Sequence, residues 1–240
     1  MPTITLFLIR PKLTNASKVV EKLDRKKIND VWIRARISRF DEKEIEINYY
    51  YEETIEDNLR KVFNGDELHS ITAFLLNNGV YTVLRKVYCF MNVDLSILQV
   101  YRGPDSVTQN IKQILEKLLG VRLTRVSIDS KQLTRIMKNY SEEVNQAIFK
   151  NVDGFWYTLL RGSKLESNSK FNEYLNKNHN SLRVLSIKPT IRYLNGKRYT
   201  VTINGDKGTL KFCDGNPFKW RPRFEVRQIV YIVASTIGLV

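Results

Sequence analysis

The sequence predicts an α+β fold, with mixed, largely antiparallel sheets and packed helices. Three observations carry that expectation. Several segments alternate apolar and polar residues with period two, and turn signals such as Asn195-Gly196 and Asn204-Gly205 join them. Others space apolar residues at helical intervals between recognisable start and stop residues. The two kinds are interleaved without the strict strand–helix alternation that marks a parallel sheet.

In chain order, residues 4–9 form an apolar run that reads as a buried strand. Asn15 or Ser17 can open a helix to about Lys27, where Arg25, Lys26 and Lys27 suit the negative end of the helix dipole. Val31, Ile33, Ala35 and Ile37 alternate with Trp32, Arg34, Arg36 and Ser38; Ile45, Ile47, Tyr49 and Tyr51 alternate in the same way. These read as a hairpin with a loop over 39–43, in which Arg34 and Arg36 face Glu44 and Glu46. Residues 53–63 are acidic at the start and basic at the end, a helix signature with Gly65 as its stop. Residues 71–76 and 80–90 read as strands about an Asn77-Asn78-Gly79 turn. Residues 97–101 are a strand. Residues 106–119 are an amphipathic helix, with Val107, Ile111, Ile114, Leu115 and Leu118 on one side and Gly120 past its end.

The second half opens with a strand over 121–128. Asp129 or Ser130 caps a helix through Met137, and a second helix covers 141–149. A strand over 155–160 and a short helix over 169–176 follow. Strands over 182–187, 190–193, 199–203 and 209–212 then form a meander, and a helix over 225–237 closes the chain. No repeat or low-complexity linker is present. A boundary near Gly120 divides an N-terminal α+β domain, 1–120, from a basic α+β domain, 121–240, that ends in the meander and helix.

With 240 residues, 42% of them hydrophobic, the chain can bury a real core. Its charge is unusual: 39 Lys and Arg against 25 Asp and Glu give a formal net charge of +14. Residues 1–120 carry 18 basic and 16 acidic side chains, and residues 121–240 carry 21 and 9. Such an excess costs self-repulsion, and its concentration in one half points to a polyanion partner rather than to solubility.

The sequence points to no catalysis and no cofactor. Cys89, Cys213, His69 and His179 lack metal-ligand spacing, and no Gly-rich phosphate loop occurs. Arg102-Gly103-Pro104 reads as a plain turn, and the run from Glu52 to Asp57 as the acidic start of a helix. The N-terminus lacks a leader pattern, and the apolar stretch 229–240 is too short to span a bilayer, so no membrane role and a cytoplasmic location are expected.

The positive signal is basic and aromatic. Lys219-Trp220-Arg221-Pro222-Arg223-Phe224 places three cations around a Trp in an expected loop. Lys and Arg hold phosphates, and an aromatic face stacks on a base. Lys188, Arg192, Lys197 and Arg198 extend this group from the neighbouring strands. Lys131, Arg135 and Lys138, spaced by four and three, share one helical face. These residues are the expected contacts to RNA or DNA.

The order of elements from Ile97 onward adds a resemblance. It consists of the strand Ile97 to Arg102, the helix ending Leu118-Leu119-Gly120, and Val126 to Ser130 leading into a helix. The strand Phe155-Trp156-Tyr157-Thr158-Leu159 and the Asn195-Gly196 and Asn204-Gly205 meander complete it. This pattern, over the last 140 residues or so, resembles the separate archaeal subunits, related to APAZ regions, that supply the N-terminal and linker regions to short prokaryotic argonautes. The resemblance implies a heterodimer with a short argonaute. In it this chain would line a guide/target duplex channel with basic side chains, contribute no catalytic residue, and serve antiviral defence. Two other expectations remain open from the residues alone: a stand-alone DNA-binding protein or regulator of viral or mobile-element origin, and a metal-dependent nuclease whose carboxylates lie far apart in sequence.

Overall fold

Alternation along the first strand organises the whole molecule. The computed structural model describes residues 3–101, 105–178, 180–213 and 221–240. The first strand, β1 (Thr3–Arg10), sends Ile4 and Leu6 into one hydrophobic cluster and Phe7 and Ile9 into another. Successive strand residues point to opposite faces, so the two clusters lie on opposite faces of one sheet.

The first-half elements are α1 (Ala16–Leu23), β2 (Lys27–Ile28), β3 (Val31–Ser38), β4 (Asp41–Thr54), α2 (Ile55–Leu59), α3 (Gly65–Asn77), β5 (Thr82–Asn92), β6 (Ile97–Tyr101) and α4 (Asp105–Leu119). The second-half elements are β7 (Arg122–Arg125), α5 (Ser130–Tyr140), β8 (Ser141–Val152), β9 (Phe155–Arg161), α6 (Ser169–Lys177), β10 (Leu182–Pro189), β11 (Thr200–Asn204), β12 (Thr209–Cys213) and α7 (Arg223–Thr236). The α+β expectation holds. Among the described residues twelve strands join in a single antiparallel sheet of order β2-β3-β4-β5-β6-β1-β12-β11-β10-β8-β9, with β7 paired to the end of β1.

β1 is the seam. On one side it pairs with β6; on the other it pairs first with β12 and then with β7. Helices α1 and α4 cover one face, burying Val19, Leu23, Ile111 and Leu115 against β3–β6. Helices α5, α6 and α7 cover the other, burying Leu133, Ile136, Phe171, Val226 and Val233 against β8–β12. The cluster under α1 and α4 draws mainly on residues 1–120, with Val121 and Leu123 added, and the cluster under α5, α6 and α7 mainly on 121–240, with Ile4, Leu6, Ile97 and Tyr101 added.

Most expected elements appear, and four differ for identifiable reasons. Residues 71–76 lie inside α3 rather than in a strand. Asp66 and Glu67 suit its first turn, and Gly79 (φ +78°) ends it. Val80 N donates to Leu75 O at 2.9 Å and Gly79 N to Leu76 O at 3.0 Å, the paired bonds of a Schellman motif. The Asn-Gly signal was read as a hairpin turn, but here its glycine closes a helix.

Residues 141–149 belong to β8, not to a helix. Val144 and Ala147 are three apart, which imitates helical spacing. In the structure Val144 pairs with Ile187 and Gln146 with Ser186, so one extra residue sits between them. That bulge lets Val144 and Ala147 face the same core from a strand. Glu53 and Thr54 end β4 rather than begin a helix, and Thr54 instead caps the short α2. Residues 190–193 are outside any strand: Gln228 of α7 accepts from Arg192 N at 3.0 Å and donates to Arg192 O at 2.9 Å, replacing ladder bonds.

The approach to α5 is fixed by two close backbone passages. Val126 N donates to Leu6 O at 3.0 Å, and Ile128 N donates to Gly205 O at 3.1 Å. A Cβ on Gly205 would lie 2.1 Å from Ile128 O, and one on Gly208 2.2 Å from Val126 O. Only glycine admits this crossing, so the turn between β11 and β12 also seats the start of α5.

Candidate nucleic-acid interface

Helix α5 has a strong local start. Asp129 accepts from Gln132 N at 2.8 Å, while the Gln132 side chain accepts from Asp129 N at 2.9 Å, a reciprocal capping box. The inward face buries Leu133, Ile136 and Met137. That packing fixes the rotation of the helix and leaves Lys131, Arg135 and Lys138 exposed on its outer side. None of the three forms an ion pair or hydrogen bond with another described side chain. Lys131 and Lys138 are seven residues apart, about 10 Å along the axis, which matches roughly three base-pair steps of a duplex.

The remaining expected contacts fare differently. Lys188 lies across the ladder from Glu143 and donates to its Oε2 at 2.5 Å. That hydrogen bond holds the Glu143 carboxyl below its ordinary value. Arg198 donates to Glu142. Both cations are therefore already neutralised on the sheet surface. Arg192 and Lys197 are exposed, and neither side chain has an ion-pair partner among the described residues.

Arg221 and Arg223 require a correction, because both lie inside the protein. Their side chains are only 8% and 9% exposed, too little to grip a phosphate chain. Arg223 donates to both carboxylate oxygens of Glu44, which is itself buried, and its Nη1 donates to Gln99 Oε1 and to the Tyr101 hydroxyl, each at 2.7 Å. Its guanidinium stacks 3.9 Å from the Phe90 ring centre. Arg221 stacks 3.8 Å from the Tyr199 ring and lies 3.9 Å from the fully buried Glu225, which accepts from Leu194 N at 2.9 Å. One turn on, Arg227 reaches Asp41 and the Phe40 carbonyl. The segment is thus the clamp that ties α7 to β4 and β6 of the first half. Lys219 and Trp220 lie outside the described residues, as do Arg102-Gly103-Pro104 and His179.

Glu44 is the residue that sequence reasoning misplaced. Of the cross-strand charges expected to face one another, Arg36 and Glu46 do, at 2.6 Å. Arg34, however, lies opposite Asn48, and Glu44 pairs across the sheet with Asn92. The only sequence signal was its position at the polar start of an otherwise regular alternation.

No family model matches the chain, and no curated protein does. Function must therefore be argued from the residues themselves. Among the described residues no three His, Cys, Asp or Glu side chains gather where a metal could be held. His69 lies on α3. Cys89 is buried, and burial pushes its thiol pKa up. No described helix is long and apolar enough to cross a membrane.

Proposed function

We propose that the protein is a non-catalytic nucleic-acid-binding accessory subunit that pairs with a short argonaute-type partner and holds a guide/target duplex. The observation that carries this reading is the cationic ridge of α5. Lys131, Arg135 and Lys138 project from a well-capped, well-packed helix, with no ion-pair partner among the described residues. Charges held at fixed spacing on a rigid element displace condensed counterions when they meet a phosphate backbone, and read no sequence in doing so. The excess of cations over carboxylates in residues 121–240 acts in the same direction.

A protein partner is supported by the β9 edge of the sheet. Strand β9 is terminal in the strand order, and Phe155, Trp156, Tyr157 and Leu159 are all exposed on it. An uncovered edge with four large apolar side chains is a liability for a chain that works alone.

The test is the salt dependence of duplex binding. Replacing Lys131, Arg135 and Lys138 together with Ala is expected to weaken binding and to lower the slope of log affinity against log salt by about two to three. An unchanged slope refutes the ridge. Binding of one duplex sequence far above all others would favour a stand-alone regulator, and magnesium-dependent cleavage a nuclease. Failure to co-purify with a co-expressed short argonaute would remove the partner.

A further inference from the structure

The face of β2–β5 turned away from α1 and α4 carries a different chemistry. Val31, Ile33, Ala35, Ile45, Ile47, Tyr49, Val87 and Cys89 face the helices. Their strand neighbours Trp32, Arg34, Arg36, Glu46, Asn48, Tyr50, Lys86, Tyr88 and Phe90 therefore point the other way, and none of these nine is buried.

Register places them in rows. Lys27 lies opposite Trp32, Trp32 opposite Tyr50, and Tyr50 opposite Lys86, a straight line across four strands. Arg34, Asn48 and Tyr88 form the next row. The line spans three strand spacings, about 14 Å. Trp32 and Tyr50 are register partners at its centre, and a lysine stands at each end. Lys27 Nζ lies 5.1 Å from the Trp32 ring centre, and Lys86 Nζ lies 5.5 Å from that of Tyr50 and 4.2 Å from that of Tyr88. Among the described residues Lys27, Arg34 and Lys86 have no ion-pair partner; on the same face Glu46 is taken by Arg36, and Glu52, in the row beside Tyr50 and Lys86, accepts from the Thr82 hydroxyl at 3.1 Å.

A solvated sheet face needs no Trp beside a Tyr. Adjacent rings framed by unneutralised cations match a ligand that offers flat π-systems and regularly spaced negative charge. A glycan supplies the flat face without the charge, and a duplex keeps its bases stacked inside. A single strand supplies both. We infer that the row Lys27–Trp32–Tyr50–Lys86, with Arg34 beside it, binds a single-stranded nucleic-acid segment. Bases stack on Trp32 and Tyr50, and Lys27, Arg34 and Lys86 hold the phosphates. The inference rests on the nucleic-acid reading proposed above and deepens it, but it uses the half of the sheet that α5 does not touch. A partly single-stranded guide or target would then meet two separate surfaces, one for paired and one for unpaired nucleotides.

The experiment compares labelled single-stranded DNA and RNA oligonucleotides with a blunt duplex, by anisotropy, on the full chain. Trp32→Ala and Tyr50→Ala are each expected to weaken single-strand binding roughly fivefold or more, and to leave duplex binding unchanged. The double variant Lys27→Glu/Lys86→Glu keeps both rings, so it serves if a ring variant fails to fold. It should also weaken single-strand binding and lower its salt slope. Unaltered single-strand affinity in the folded ring variants, or in the charge-reversal variant, overturns the inference. Single-strand binding lost only on removal of the α5 cations overturns the inference and keeps the proposed function. No nucleic-acid binding by the unaltered protein overturns both.

Discussion

Two basic clusters that look alike in the sequence have opposite fates. Lys131, Arg135 and Lys138 stand exposed on α5 without ion-pair partners among the described residues. Arg221 and Arg223, in a segment even richer in cations, are buried against Glu225 and Glu44. The difference lies in what the fold brings alongside. The outer side of α5 faces away from the sheet, whereas the start of α7 lies over β4 and β6, where Glu44, Gln99 and Tyr101 converge. A local excess of cations therefore does not identify a polyanion site. Only cations that tertiary structure leaves unpaired can be counted towards one.

The contrast can be broken experimentally. The largest expected effect is that of Arg223→Ala, which strips the buried Glu44 of its two-pronged partner and leaves it only Arg227, 3.8 Å away. It should cost about 3–5 kcal/mol in chemical denaturation. A loss below about 1 kcal/mol would mean that the segment is not a structural clamp. The triple α5 substitution should do the reverse. Stability should move by no more than about 0.5 kcal/mol per site, while duplex affinity and its salt slope fall. A triple variant that unfolds readily would erase the distinction between the clusters.

Intermediate cations should give intermediate answers. Lys188→Ala and Arg198→Ala remove partly exposed pairs, so each should cost about 0–1 kcal/mol in the same denaturation assay. The pH dependence sharpens the same point. Lys188 holds the folded Glu143 pKa below its unfolded value. Its contribution is therefore fully present above the unfolded carboxylate pKa, near ~4.3, and is lost as pH falls through the depressed folded value. Lys188→Ala should flatten the acid limb of a stability–pH profile by a small amount, and an unchanged limb would show that the pair is idle in solution.

How much was legible in advance follows from how local each signal is. The helix at α5, a cap at Asp129 or Ser130 and the shared Lys131–Arg135–Lys138 face could be read because cap and periodicity act within a few residues. The β3–β4 hairpin and the Arg36–Glu46 pair were legible for the same reason. Strand β8 was not, because its bulge reproduces helical spacing and only its pairing with β10 reveals the extra residue. The burial of Arg223 was not, because its partner Glu44 lies 179 residues away.

The sequence by itself determined the α+β class, most strand and helix positions, the uneven charge and the residue types from which any binding surface must be built. Tertiary structure decided which cations remain free and which are consumed in holding the halves together. It also decided that Lys27, Trp32, Tyr50 and Lys86 form one row. The physical reason is that propensity and capping act over one or two turns of chain, whereas neutralisation and stacking depend on groups that only long-range strand pairing brings within a few ångströms.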